Sequence, residues 1–308
     1  MSLDESRRLD NIKNKLECRA KIIAGIRAFF NNQNFLEVDT PIRVPAIAPE
    51  QFITPYLSEN WFLSTSPELQ MKRLLAAGYK NIYQMAHCFR SGERGRHHNP
   101  EFSMLEWYRA GTDYNQIIRD TEELISYLSE MCGFGSQLKY QNKVIDLSLP
   151  WPRITVREAY TQWAGWDPIA HFDGLRFDDD MVDKIIPHFA ADRPTIIMDY
   201  PQECAALARL KPGQKDVAER AETFIGGLEI ANAYSELNDP DEQRKRFKDE
   251  ISVMQKAGKA CIWPDKFIEA IKTMPECGGI AVGVDRLVML LCDAASIDEV
   301  VAFPSDLL

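Results

Sequence analysis

The segment 88–108 sets Arg90, Glu93, Arg94, Arg96, His97, His98, Glu101 and Glu106 between apolar anchors, with Gly92, Gly95 and Pro100 near its middle. Charge at this density cannot enter a core unpaired, and glycine with proline marks a reversal of the chain. The two ends are therefore read as strands of a hairpin carrying its cations on the turn and along one face. Such a hairpin can grip a polyanion; a solvated charged loop is the alternative that composition alone leaves open.

The flanking sequence supplies helices and strands without regular βαβ alternation. Leu16, Ala20, Ile23, Ile26, Phe29 and Phe30 recur at helical spacing, so a helix is predicted over 16–33, ended by Asn34. Residues 35–41 alternate as a short strand that stops at Pro41. Ser66-Pro67-Glu68 reads as an N-cap with proline at the first helical position, opening a helix over 66–77. Another helix, over 112–133, is capped by Thr112 or Asp113 and turns Ile117, Leu124, Ile125 and Leu128 inward.

Between 136 and 215 Trp, Pro and Gly break up the signal, and no function is drawn from this intervening stretch. Within it, 195–198 reads as a buried strand and Asp178-Asp179-Asp180 as a solvated loop or helix start. Strands return at 222–237 around Gly226-Gly227, a helix follows at 239–257, and a glycine-rich turn at 278–283 leads into an apolar helix at 284–292. This order of elements, with no internal repeat, predicts the α+β class in one large domain over 1–308.

A formal charge of −10 removes the general basic balance that nucleic-acid backbones attract, which leaves RNA only a local patch. No apolar run nears the ~18 residues of a membrane span, and the charged N-terminus lacks a signal's apolar stretch, so a cytoplasmic protein is expected. The seven cysteines are scattered with no C-x-x-C pair, as reduced core thiols would be.

These residues carry a specific likeness. The segment 88–108 resembles motif 2 of the class II aminoacyl-tRNA synthetases, FLEVDTP (35–41) resembles the end of motif 1, and GGIAVGVDRLVM (278–289) is similar to motif 3. Within the class, SPELQMKR (66–73) and GGLEIANAYSELND (226–239) look like the lysyl subgroup. The resemblance covers most of 16–303 apart from the middle. It implies an antiparallel sheet flanked by helices, ATP as co-substrate with Mg²⁺, a lysine-like substrate, and a homodimer built on the motif 1 helix.

Carried over by position, the resemblance makes Arg90 and Arg286 the catalytic arginines. Arg90 would hold the amino-acid carboxylate and the α-phosphate, while Phe102 and Arg286 would sandwich the adenine. Ser91, Gly92, Glu93, His98, Asn99, Glu229, Ile230 and Gly283 complete the expected nucleotide contacts. Glu222 and Glu229 are the expected Mg²⁺ ligands. Ser66, Pro67, Glu68, Glu106, Tyr108, Asn232, Tyr234 and Glu236 would bind the amino acid, with Glu68 on its backbone amine. In a strand, Asn232, Tyr234 and Glu236 share one face. Glu106 and Glu236 facing one cavity would repel unless a cation lay between them, and a substrate ammonium is that cation. The alternative is that both bond only local backbone or arginine. Glu229 and Asn232 differ by three, so their joint service requires a bulge between them.

Only about thirty residues precede motif 1, which leaves no room for an anticodon-binding domain and makes tRNA an unlikely partner. The short architecture, with HNPEFSMLEWYR (98–109) and GGIAVGVDRLVML (278–290), resembles the elongation factor P lysyltransferase family. Its members activate lysine, preferably (R)-β-lysine, and transfer it to a lysine of elongation factor P. Two departures stand out. Motif 2 reads Arg90-Ser91-Gly92, so the carboxylate that reads the adenine amine is absent at 92, with Glu93 as its candidate replacement. Pro45-Ala46-Ile47-Ala48 replaces a glycine pair, and Ala281 a glycine, around the amino group. A class II-like asparagine synthetase and a non-catalytic regulatory subunit are the competing readings; the acidic pair opposes the first, and the joint presence of Arg90, Phe102, Glu222, Glu229 and Arg286 the second.

Overall fold

Strand-like stretches that alternate in polarity need a sheet with one face packed under helices. The computed structural model, which describes residues 3–308, has that sheet. In chain order the principal elements are α1 (Leu3–Asn32), β1 (Leu36–Glu37), α2 (Glu68–Ala76), β2 (Asn81–Phe89), β3 (Glu101–Ala110) and α3 (Tyr114–Met131). There follow β4 (Arg153–Thr155), β5 (Thr195–Pro201), β6 (Gln214–Ile225), β7 (Leu228–Ser235), α4 (Pro240–Lys256), α5 (Asp265–Ile271), β8 (Cys277–Gly283) and α6 (Val284–Leu291). The strands lie in the order β1-β2-β3-β8-β7-β6-β5-β4, with Leu210–Lys211 pairing β6 to one side. Pairing is parallel at the two edges, β1 with β2 and β4 with β5, and antiparallel between. The α+β class and the helix-flanked antiparallel sheet are as the sequence predicts.

One face of the sheet, through Leu105, Trp107, Ala231, Ala233, Ile280 and Val282, packs on α1, α3 and α6 in the main core. The other face is left to the cavity described below. Local signals explain the helix starts: Asp113 accepts from the amides of Asn115 and Gln116, and Ser66 Oγ accepts from that of Glu68.

Four elements depart from expectation, each for a physical reason. The first helix begins at Leu3 instead of residue 16 because polar bonds hold its early turns; Arg8 reaches Ala302 O and Lys15 pairs with Glu299. The 35–41 strand contracts to Leu36–Glu37. The glycine-rich 278–283 stretch is the central strand β8, not a turn. There, a Cβ at Gly278 would strike Ile117 and Asp113, and one at Gly279 would strike Glu236 and the Tyr108 ring. Asp180 is buried rather than solvated: it closes a short helix, Gly174–Asp180, accepts from Trp166 Nε1 at 2.8 Å and pairs with Lys184 at 2.6 Å.

Candidate active site

Antiparallel pairing places directly opposed residues on the same face of a sheet. Gln84, Glu106, Ala281, Asn232 and Glu222 are opposed in turn across β2, β3, β8, β7 and β6, forming one rung of the cavity floor. Two residues along each strand, Tyr108, Gly279, Tyr234 and Arg220 form the next. Above these rungs lies a cavity of about 1150 Å³.

Glu229 reaches this face only because β7 is irregular. Ala231 opposes Thr223 while Glu229 opposes Phe224, so Ile230 is an extra residue and the register shifts there. That is the bulge which parity demands, and Glu229, Ile230 and Asn232 all line the cavity.

The α2 end of the cavity is an acidic cup. Glu106 is 2% exposed, and its two oxygens accept from Ser66 Oγ at 2.5 Å and Tyr108 OH at 2.9 Å. Ser66 Oγ thus holds both the first amide of α2, which has Pro67 at its N-cap, and the pocket carboxylate. Burial, with the charge of Glu68 behind it, holds the Glu106 carboxyl up at about 8; burial holds Glu236 at about 7. The expectation that a substrate ammonium is the cation serving Glu106 and Glu236 needs one correction. Lys72, one turn along α2 from Glu68 and 1% exposed, places Nζ 2.5 Å from Glu68 Oε1 and 2.5 Å from Glu236 Oε2. The chain's own ammonium bridges Glu68 and Glu236, while Glu106 is held by Ser66 and Tyr108; none of these side-chain partners is backbone or arginine.

The hairpin end of the cavity is built of arginines that have found partners. Arg286 donates from Nη1 to Glu229 O at 2.9 Å and from Nε to His97 O at 3.2 Å, and its Nη2 lies 2.5 Å from His98 Nε2. Burial and the Arg286 charge depress the His98 pKa, so the ring is a neutral acceptor. The Arg90 guanidinium lies 5.2 Å from the Phe102 ring centre and pairs loosely with Glu93 at 3.8 Å. Asn99 lines the wall with its side chain already engaged: Oδ1 accepts from Arg94 and Ser305, and Nδ2 donates to Glu101 O.

Glu222 and Glu229 lie near enough to repel, since burial and then the Glu222 charge raise the Glu229 carboxyl. Two hard oxygen donors beside a phosphate-sized space fit Mg²⁺, which keeps water and phosphate oxygens as its remaining ligands. Among the described residues no group of three or more His, Cys, Asp or Glu is arranged to hold a metal alone.

The lining joins Ser66, Glu68, Arg90, Glu93, His98, Asn99, Phe102, Glu106, Tyr108, Glu222, Glu229, Ile230, Asn232, Tyr234, Glu236, Gly283 and Arg286. Pro67, Ser91 and Gly92 are not part of it. The amide of Ser91 is held by Thr54 O at 2.7 Å, and Gly92 has φ of +81°, turning the chain away.

Sequence reasoning missed three groups. Arg220 lies 4.6 Å from the Tyr200 ring centre and 5.8 Å from that of Tyr234, donating to Glu222 Oε1 at 2.6 Å; its place two residues before Glu222 was the available signal. Lys72 carried a signal too, four residues after Glu68 on a helix. Glu50, and the wall from Phe172, Phe177, Asp178 and Met181, come from stretches with no clear periodicity.

With this geometry stand the relatives. Residues 3–307 match the family described as tRNA synthetases class II (D, K and N). The chain is 35% identical over 323 residues to the lysine–tRNA ligase of Clostridium perfringens (strain SM101 / Type A), covering 96% of this chain and 64% of that one. The corresponding ligases of Moorella thermoacetica (strain ATCC 39073 / JCM 9320) and Pelotomaculum thermopropionicum (strain DSM 13744 / JCM 10971 / SI) are each 38% identical, with 65% and 63% of their lengths covered. The chain thus spans a little under two thirds of the length of these relatives. Its helix-flanked sheet, its bulged β7 and a match that runs almost end to end agree, and the chain belongs to the class II tRNA synthetases (D, K and N).

Proposed function

We propose that this protein activates lysine or (R)-β-lysine with ATP as an aminoacyl-adenylate and passes the aminoacyl group to a lysine side chain of elongation factor P. The observation that carries the reading is the charge balance of the cup. Two buried carboxylates, Glu106 and Glu236, and the partly buried Glu68 face one internal ammonium, Lys72. With all three ionised, as a bound ammonium favours, the two negative charges left over suit a substrate with two ammonium groups. An aspartate side chain would meet the opposite field, because Lys72, the cup's one cation among the described residues, is already spent.

In the first step a carboxylate oxygen of the amino acid attacks the α-phosphorus; a C–O–P linkage forms, the bond to the β-phosphate bridging oxygen breaks, and pyrophosphate leaves. Arg90 would neutralise charge growing on the α-phosphate, and Phe102 with Arg286 would clamp the base once Arg286 gives up its present contacts. Glu222 and Glu229 would hold Mg²⁺, whose charge would further neutralise the phosphates. In the second step the acceptor's amine attacks the acyl carbon, AMP leaves, and the amine loses a proton.

The acceptor is supported by the resemblance of 98–109 and 278–290 to the elongation factor P lysyltransferases and by the formal charge of −10, which suits tRNA poorly. A homodimer through α1 belongs to the same reading. The test is ATP–pyrophosphate exchange with α-lysine, (R)-β-lysine and aspartate, followed by mass measurement of elongation factor P and acid-precipitable charging of lysine tRNA. Exchange with aspartate alone overturns the substrate, and a charged tRNA beside an unmodified factor overturns the acceptor.

A further inference from the structure

Glu50 stands outside every role given so far. It lies in the loop between the motif 1 strand and α2, and this loop is fastened on both sides of the cavity mouth. Toward the hairpin, Thr54 O accepts the Ser91 amide at 2.7 Å. Toward α4, the Gln51 amide donates to Glu250 Oε2 at 3.0 Å and Lys259 Nζ to Gln51 O at 2.6 Å. A turn, with the Ile53 amide donating to Glu50 O at 3.2 Å, holds the intervening backbone. The loop is therefore a fixed part of the wall, and Glu50 lines the cavity from it.

Its carboxylate has no hydrogen bond and no ion pair among the described residues. That is unusual in this cavity, where Glu68, Glu222, Glu229 and Glu236 each hold a cation and Glu106 holds two hydroxyls. A half-buried carboxylate without a partner is costly, and a ligand cation is the group that relieves the cost. The charges acting on it are those of other residues lining the cavity. Burial raises its pKa to about 7, Arg90 opposes the rise, Glu68 and Glu250 add to it, and Arg220 opposes it more weakly. Glu50 thus shares the cavity lining with Arg90, the arginine expected on the substrate's carboxylate, and with Glu68, the carboxylate expected on its neighbouring amine, and both act on its charge.

We propose that Glu50 is a specificity-determining residue of the amino-acid site, whose carboxylate joins Glu68 in binding the ammonium group nearest the substrate's carboxylate. This rests on the adenylate-forming reading above and names which end of the substrate the loop recognises. An α- and a β-amino acid differ in where that ammonium stands relative to the carboxylate held by Arg90. A second carboxylate, fixed by a loop rather than by the sheet, can therefore tell the two apart.

The experiment compares the wild-type chain with Glu50→Gln and Glu50→Asp by pyrophosphate exchange, using ATP with α-lysine and then with (R)-β-lysine. For the preferred isomer, Glu50→Gln should raise the amino-acid KM about 10- to 100-fold, the worth of a hydrogen bond to a charged group. The KM for ATP should move less than about twofold, the ratio between isomers should change, and Glu50→Asp should recover part of the loss. An amino-acid KM unchanged for both isomers overturns the proposal. So does an equal rise in both the amino-acid and ATP KM values, which marks collapse of the loop. Wild-type protein that exchanges with neither lysine overturns the function itself, and that result is visible before any variant is made.

Discussion

At the α2 end of the cavity Lys72 and Glu236 are each 1% exposed, whereas at the hairpin end Arg286 and Glu229 keep 21% and 41% of their side chains in contact with solvent. Both ends hold paired charges, but the pairs do different work. The buried bridge has no water to replace either partner, so it must persist while substrate binds. The exposed pairs can be exchanged for phosphate and adenine at small cost, because solvent screens what is lost. One end is a fixed mould, and the other is a set of arginines parked on temporary partners.

The sharpest way to break this contrast is to remove one charge from each end. Lys72→Met should lower stability by about 3–5 kcal/mol, the cost of leaving buried carboxylates without their cation, and should be read as a fall in thermal or urea midpoint. Arg90→Ala should leave the midpoint nearly unchanged and lower the exchange rate about 10²–10³-fold, as loss of a donor to a developing oxyanion does. If Lys72→Met unfolds at the wild-type midpoint, the mould is not held by that bridge. If Arg90→Ala is the one that unfolds, the hairpin arginines are structural.

The same contrast separates what could be read in advance from what could not. Strand periodicity put Asn232, Tyr234 and Glu236 on one face, and an odd spacing demanded the bulge that occurs at Ile230. These inferences need only the period of two and short-range pairing. Glu106 was readable as a pocket carboxylate, but its bond to Ser66 crosses 40 positions of sequence and leaves no local trace. Lys72 had only its i to i+4 spacing from Glu68 as a local signal; its burial depends on Glu236, just past the end of β7. The wall from Phe172 to Met181 was illegible for another reason. Its α-helix, Gly174–Asp180, is only seven residues long and runs into a wider π turn, Met181–Ile185, so no sustained 3.6-residue stripe forms.

Acidity sharpens the comparison further. Glu106 and Glu236, at about 8 and 7 against an ordinary 4.5, are partly protonated at neutral pH in the empty cup. An ammonium ligand binds their ionised forms, so binding expels protons. Affinity for the amino acid should therefore strengthen as pH rises from 6 to 8, by up to about tenfold per unit for each group, and level off above. Stability should move the other way. Between about 4.5 and 8 the folded chain keeps protons that the unfolded chain has released, so these two carboxyls make folding less favourable as pH climbs through that window. Amino-acid KM measured across pH 6–8, beside unfolding midpoints at the same values, tests both slopes. A flat KM would mean that the cup is already ionised.

The smallest effect expected is also the one that ties the exposed end to the core. Arg19 on α1 pairs through Nη1 with Asp285 Oδ1 at 2.6 Å and donates from Nη2 to Ser103 Oγ at 3.0 Å; Asp285 Oδ2 in turn accepts the Ser103 amide at 2.9 Å. Ser103 and Asp285 are the immediate chain neighbours of Phe102 and Arg286, so one arginine from outside the cavity braces both halves of the expected adenine clamp. The brace holds backbone, not ligand, and its loss should loosen the clamp without removing it. Arg19→Gln should raise the KM for ATP about three- to tenfold, a small effect because loss of the ion pair reaches the clamp only through backbone, while leaving the amino-acid KM within about twofold. Equal changes in the two constants would show that α1 supports the whole cavity alike, and the division between a fixed mould and a movable cradle would then fail at its boundary.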